Sequence, residues 1–250
     1  MNTLTLEKLY DKIGASANNN SVGGGEALRV ADAQTAILIN ELDFSDAKSV
    51  LDFGCGIGRT MPLLFSKLSR DDLKLDGCDI SAEFVRECKA LYRDYPFRFF
   101  KIYAENSHYS KYDVSSEDEN VPVEYYDIAY SFSVFTHLDL EKSLDALRRV
   151  NKCLKPGATY YFTMFRLDDG SIEAINSGRK LPFGFSKKVK EGDAEFFAND
   201  ADPLAFAAMK KGAVEDIIRE CGFEPTNFIA GGWRGIAAAN IHDAYIVAKK

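Results

Sequence analysis

The stretch Val50–Thr60, VLDFGCGIGRT, narrows the folds open to this 250-residue chain more than any other. Val50, Leu51 and Phe53 form a short apolar, β-prone run that reads as a buried strand. The run breaks into Gly54, Gly56 and Gly58 at alternate positions, and a helical pattern resumes through Met61, Leu64, Phe65 and Leu68. Strand, glycine turn and helix is the layout of a nucleotide-binding loop at the carboxyl edge of a parallel sheet, where missing side chains let a ligand lie against the backbone. The spacing excludes two common versions of that loop. A G-x-G-x-x-G fingerprint would need its third glycine at Arg59, and a G-x-x-x-x-G-K-[ST] phosphate loop would need a lysine that does not follow. What stands here is D-x-G-x-G-x-G, with Asp52 ahead of the glycines.

Downstream, Leu73–Ile80 (LKLDGCDI) reads as a second strand ending at Asp79. A doubly wound fold sets at this point a carboxylate that accepts from both hydroxyls of a ribose. Asp79 and Ser81 are also candidate N-caps, because a helical pattern with Glu83 and Phe84 follows. Further strands are expected at Phe97–Ala104, Tyr125–Phe132, Ala158–Phe165, Phe223–Ala230 and Ala244–Ala248, with helices at Ser81–Tyr92, Leu140–Leu154 and Leu204–Cys221. The helix before the fifth strand stops at Lys155-Pro156-Gly157. The last strand follows without a long helix, so it returns antiparallel beside the sixth. These elements predict a three-layer, doubly wound α/β fold with a seven-stranded, mostly parallel sheet and an antiparallel last strand.

The Val50–Thr60 stretch with Asp79, the run YDIAYSFSVFTHL (126–138) and LKPGATYYFT after it resemble, in order and spacing, the class I S-adenosylmethionine-dependent methyltransferases, whose motif I is the glycine loop. The likeness runs from about Asp46 to Lys250 and is strongest to the bacterial branch acting on small metabolites and glycans. It implies S-adenosyl-L-methionine as cofactor, held by Asp52, Gly54, Cys55, Gly56, Gly58 and Arg59, by Asp79 and Ile80, by Ala104 and Glu105, and by Ser131 and Phe132. The family's acidic adenine contact would fall at Tyr103, so Glu105 and Asn106 are what this chain offers instead. An [DN]-P-P-[YF] turn and a Pro-Cys nucleophile are both absent after the fourth strand, which argues against the adenine- or glutamine-amino and cytosine-C5 chemistries. Helices at Thr5–Ile13 and Ala27–Leu42 make residues 1–45 an N-terminal helical lid over cofactor or substrate, with 46–250 as the methyltransferase domain. The glycine-rich connection Gly14–Gly25 is either a segment that closes on binding or a plain linker.

Methyl transfer to a hydroxyl calls for a base, and the chain has three histidines, His137 first among them, then His108 and His242. His137 follows the fourth strand, where it either takes a proton or holds the turn. Residues of about 166–205 interrupt the regular alternation and read either as a substrate cap, with Phe183 and Phe185 on the acceptor, or as a surface excursion with its own small core. Trp233 and Arg234 lie between the last two strands, as a stacking platform and anion partner for the acceptor or as packing of the hairpin. Asp168-Asp169 lacks an identifiable third ligand, so no metal is expected.

Composition sets outer bounds. With 46% hydrophobic and 28% charged residues the chain can bury a large core, and its net charge of −7 disfavours a general phosphate-binding surface. Five scattered cysteines without a C-x-x-C pair suit reduced thiols. No run of 18 apolar residues occurs, and the start MNTLTLEKLYDKIG lacks a basic segment followed by an apolar one. The expectation is a cytoplasmic enzyme that methylates an oxygen of a small polar metabolite such as a sugar or glycan precursor, without nucleic acid or membrane. Its rivals are a protein or tRNA methyltransferase, a nucleotide-dependent oxidoreductase with an atypical glycine loop, and a cofactor-binding domain without catalysis.

Overall fold

The computed structural model describes residues 3–22, 25–103, 119–178, 181–185 and 192–250. Ala104, Glu105 and His108 lie outside these residues. The chain divides into two compact units that part at the end of the fourth strand, between Tyr130 and Ser131. Among the described residues no helix is long and apolar enough to cross a membrane.

The first unit carries α1 (Thr3–Ala15), a 3-10 turn (Ala17–Val22), α2 (Ala27–Glu41), β1 (Ser49–Phe53), α3 (Met61–Leu68), β2 (Lys74–Asp79), α4 (Ala82–Leu91), β3 (Phe97–Lys101) and most of β4 (Tyr126–Ser131). Its strands run in the order β3-β2-β1-β4, with every pair parallel. β1 is buried along its whole length, as expected of an apolar strand with neighbours on both sides. Register places Asp52 between Gly77 on one side and Tyr130 on the other. Residues 3–41 do not stand apart as a separate domain. They pack into this unit through hydrogen bonds that include Tyr10 Oη to Arg59 O (2.6 Å), Asn18 Nδ2 to Glu87 Oε2 (2.6 Å) and Thr60 Oγ1 to Gln34 Oε1 (2.6 Å).

The second unit holds α5 (Leu140–Cys153), β5 (Leu154–Leu167), α6 (Asp169–Asn176), β6 (Glu195–Phe197), β7 (Ala207–Lys210), α7 (Lys211–Glu220), β8 (Phe223–Ile229) and β9 (Asp243–Lys249). The last strand is antiparallel as expected, and it lies between β5 and β8, paired to both. Among the described residues there are thus nine strands where seven were expected. β6 arises inside the interruption and β7 in the first turns of the expected helix; β7 adds to the far end of β5 in parallel while β6 pairs back antiparallel. The helix expected from Leu204 therefore begins only at Lys211. The run Ala207-Ala208-Met209 favours helix by intrinsic propensity, but pairing with β5 buries all three residues and decides the outcome.

The interruption has a core of its own. Phe165, Leu167, Ile175, Leu181, Phe185 and Phe196 pack there with Trp233. It is anchored by α6, where Asp168 caps the helix by accepting from Ser171 N (3.1 Å) while Ser171 Oγ accepts from Asp168 N (2.8 Å). All five cysteines are buried, with no disulfide among them.

Candidate functional site

In the first unit, Gly54, Gly56 and Gly58 all take left-handed φ angles of 77°, 55° and 68°. A side chain at Gly58 would bring its Cβ within 2.9 Å of the Tyr92 ring. The loop is tied to β2 by Gly54 N and Cys55 N, both donating to Cys78 O (2.8 and 3.0 Å). Gly77 leaves the space into which Cys55 packs, since a Cβ there would stand 2.9 Å from Cys55 Sγ. Cys55 is therefore a packing residue, and its thiol is pushed well up by hydrogen bonding with Cys88 and by burial.

Asp79 is 8% exposed and joins the loop to the next helix. Its Oδ2 accepts from Gly56 N (2.8 Å) and its Oδ1 from Ser81 N (2.9 Å). The N-cap of α4 is Ser81, whose Oγ accepts from Phe84 N (3.2 Å), so Asp79 is not spent on capping. Burial raises the Asp79 pKa, opposed by the amides of Ser81, Gly56 and Ile80. Each oxygen has further lone-pair capacity for a diol, and a glycine backbone with no Cβ lies beside it, so these residues fit an adenosyl ligand. Asp52 is 6% exposed and pushed up to about 8 by burial, with the Tyr130 hydroxyl pulling down and Asp79 adding to the rise. Arg59 donates from Nη1 to Asn19 Oδ1 (3.4 Å). In the same unit, Glu7, Tyr10, Asp11 and Gly14 of α1 and Gly25–Leu28 line a cleft of about 460 Å³.

The second unit brings two of the three histidines to one aromatic surface. His137 sits on the 3-10 turn Phe135–His137, with Nδ1 3.2 Å from Leu204 O and its ring 5.4 Å from that of Phe206. A carbonyl only accepts, so Nδ1 carries the hydrogen and the lone pair of the neutral ring is on Nε2. His242 has Nδ1 3.3 Å from Ser133 Oγ and packs on Phe165 (5.1 Å) and Phe183 (5.3 Å). Phe183 and Phe206 close the surface at 4.9 Å from one another. Burial, helped by the charge of His137, pushes His242 down to about 4. Ser133, next to the end of β4, holds a left-handed φ of 59° and donates from N to Thr163 Oγ1 (2.7 Å). Such backbone strain in a non-glycine residue persists only where its surroundings over-determine it.

The remaining expected positions fall elsewhere. Ser131 is fully buried with Oγ 2.6 Å from Tyr160 Oη, and Phe132 is half-buried against Tyr161 (5.4 Å). Phe183 reaches the aromatic surface, but Phe185 and Trp233 are 0% exposed and belong to the core. Arg234 does not face an acceptor either: Nε and Nη2 bind Asp243 (2.6 and 2.9 Å), and Nη1 binds Asp168 (2.6 Å). With Arg166 also on its Oδ2 (2.5 Å), Asp168 is occupied by two guanidiniums; burial alone would raise its pKa, yet these partners hold it below the usual carboxylate range. Asp243, Ser133 and Phe206 were not anticipated. A carboxylate opening an apolar strand (His242-Asp243-Ala244-Tyr245) was the one signal present for Asp243.

A parallel sheet with a glycine loop after its first strand, a carboxylate closing the second and a final antiparallel strand is the arrangement of the class I methyltransferase fold. Residues 51–160 match the family model described as a methyltransferase domain, a match that together with the fold implies S-adenosylmethionine as cofactor. The human tRNA N(3)-cytidine methyltransferase METTL6 is 27% identical over 190 residues, covering 74% of this chain and 61% of that protein. The chain thus spans about three fifths of the length of this curated relative. Among solved structures, mitomycin 7-O-methyltransferase MmcR superposes with a TM-score of 0.60 at 13% identity, over 96% of this chain and 60% of that one. A methyltransferase from Mesorhizobium loti gives 0.58 at 13% identity, over 88% and 100%. At such identities the likeness is one of fold.

Proposed function

We infer that this chain transfers a methyl group to an oxygen of a small-molecule acceptor, with His137 taking the acceptor's proton. S-adenosylmethionine, when bound, supplies the methyl group as an electrophilic sulfonium. The loop backbone and Asp79 hold and orient the cofactor, and the imidazoles of His137 and His242 are the candidate acid–base groups. What supports the reading is the setting of His137, a half-buried imidazole on the aromatic surface with Nδ1 held by Leu204 O at 3.2 Å and its ring 5.4 Å from that of Phe206. His242, with its pKa pushed down to about 4, is a poor base at neutral pH and serves as a hydrogen-bonding neighbour. The sugar or glycan-precursor class drawn from the fourth-strand motif is one acceptor of this kind. So are the phenolic and carboxylic hydroxyls, and the cytoplasm is the compartment where the buried thiols remain reduced.

A screen over sugar nucleotides, phenols and carboxylic acids, scored by release of S-adenosylhomocysteine, tests the proposal. With the acceptor so found, His137→Ala should lower turnover by about 10²- to 10⁴-fold and leave cofactor affinity within twofold. Loss of cofactor affinity in that variant would instead make His137 a structural residue. The likeness to tRNA N(3)-cytidine methyltransferases favours a second reading, tRNA methylation. Against it stands the net charge of −7, since polyanion binding relies on clustered cations. Salt-sensitive binding of unmodified tRNA would support that second reading.

A further inference from the structure

We propose that the acceptor is an amphiphile, with its nucleophilic oxygen at the two histidines and an apolar body lying along residues 235–241. This rests on the methyl-transfer reading above and names the acceptor class for it. Gly235–Ile241 reads GIAAANI, without a charge in a chain of which 28% is charged. Residues 235–239 and 241 are exposed, Ile236 at 50% and Ile241 at 44%. The exposure is not that of a loose loop. Gly232 N donates to Asn240 O (2.9 Å) and Trp233 N to Ile241 O (2.8 Å). Beneath them, Asp243 Oδ1 accepts from Gly231 N (2.8 Å), and Oδ2 from Trp233 Nε1 (2.9 Å). Gly231 is packed so closely that a Cβ would stand 2.2 Å from the His242 carbonyl carbon. The backbone is held in place with its isoleucines turned toward water, an arrangement that marks an interaction surface.

This segment is continuous with the aromatic surface at both ends. A Cβ at Gly235 would touch Leu181 Cδ2 at 3.9 Å, two residues before Phe183. At the other end the His242 ring is 5.3 Å from that of Phe183, and Phe183 and Phe206 are both only half-buried. An apolar path therefore leads from Ile236 and Ile241 to the imidazoles. Asn240 is the polar side chain along the segment, and its amide is turned to Tyr161 Oη (3.3 Å). A body without hydroxyls can cover the isoleucines and phenyl rings while its one polar end reaches the histidines. A free sugar would leave its hydroxyls against apolar carbon.

The test uses the full chain and a series of 4-hydroxybenzoate esters from methyl to octyl. Binding is measured by calorimetry with S-adenosylhomocysteine present, and transfer by release of S-adenosylhomocysteine from S-adenosylmethionine. Kd should fall by up to about fourfold per added methylene until the segment is covered. That slope should flatten in Ile236→Ser/Ile241→Ser, a variant whose unchanged S-adenosylhomocysteine affinity reports that it is folded. No binding by any ester, binding independent of chain length, or an equal slope in the variant overturns the proposal. Length-dependent binding without transfer upholds the amphiphile site and removes the methyl-transfer reading. Transfer that ignores chain length does the reverse.

Discussion

Asp79 illustrates how one side chain is specified twice, by its place at the end of β2 and by the amides of Gly56 and Ser81 that converge on it. Its position was legible because glycine spacing and strand order are written directly in the sequence. The roles of Trp233 and Arg234 were not, because burial depends on partners far along the chain: Asp243 sits close to both, but Asp168 and Phe165 do not. His242 yields a prediction at this scale. Its folded pKa of about 4 lies below the ordinary histidine value of about 6.5. The unfolded chain therefore takes up the proton first as pH falls. The stability associated with keeping this ring neutral is fully present above about pH 6.5 and is lost down to about pH 4, amounting to about 3 kcal/mol at most. Urea titrations of the wild type and His242→Gln between pH 7 and 4 should diverge in slope over that window, the variant losing less stability.

At the scale of elements, the strand–loop–helix units from β1 to β5 were read correctly because apolar runs, glycines and the Lys155-Pro156-Gly157 stop punctuate them. β6 and β7 were missed because three residues of β6 and an alanine-rich β7 have no periodicity of their own and exist only by pairing with one another and with β5. The junction of β9 with the preceding turn rests on Asp243, a 0% exposed carboxylate that accepts from Arg166 N, Gly231 N, the Trp233 indole and the Arg234 guanidinium. Asp243→Ala strands a buried guanidinium and several donors, so it should destabilise the protein by about 3–5 kcal/mol, read as a fall in urea midpoint. Asp243→Asn, which keeps shape and some acceptors, should cost less.

For the molecule as a whole, the class of ligand is the property most plainly written in the sequence and the acceptor the least. The glycine loop is backbone geometry set by glycines, whereas the aromatic surface proposed for the acceptor is assembled from Phe183, Phe206, His137 and His242, four residues brought together by tertiary packing. Ligand linkage gives the global test. S-adenosylmethionine at a hundredfold its Kd should stabilise the chain by about 2.7 kcal/mol, seen as a rise in Tm, and NAD at the same concentration should not. Gly56→Val, which places a branched side chain at a left-handed φ of 55°, should erase the rise. A shift with NAD alone would point to the oxidoreductase instead.

The burial of every cysteine has a practical consequence. Hydrogen bonding with Cys88 and burial raise the thiol pKa at Cys55, burial raises it at Cys88, and burial raises Cys153 and Cys221 to about 11, so little thiolate is available to react. The native protein should therefore consume almost no chromogenic disulfide reagent, and each labelled sulfur should report an opening event. Cys55, Cys78 and Cys88 belong to one unit and Cys153 and Cys221 to the other. Mass spectrometry of the order in which they acquire label would thus time the breathing of the two halves separately, with no probe introduced into the chain.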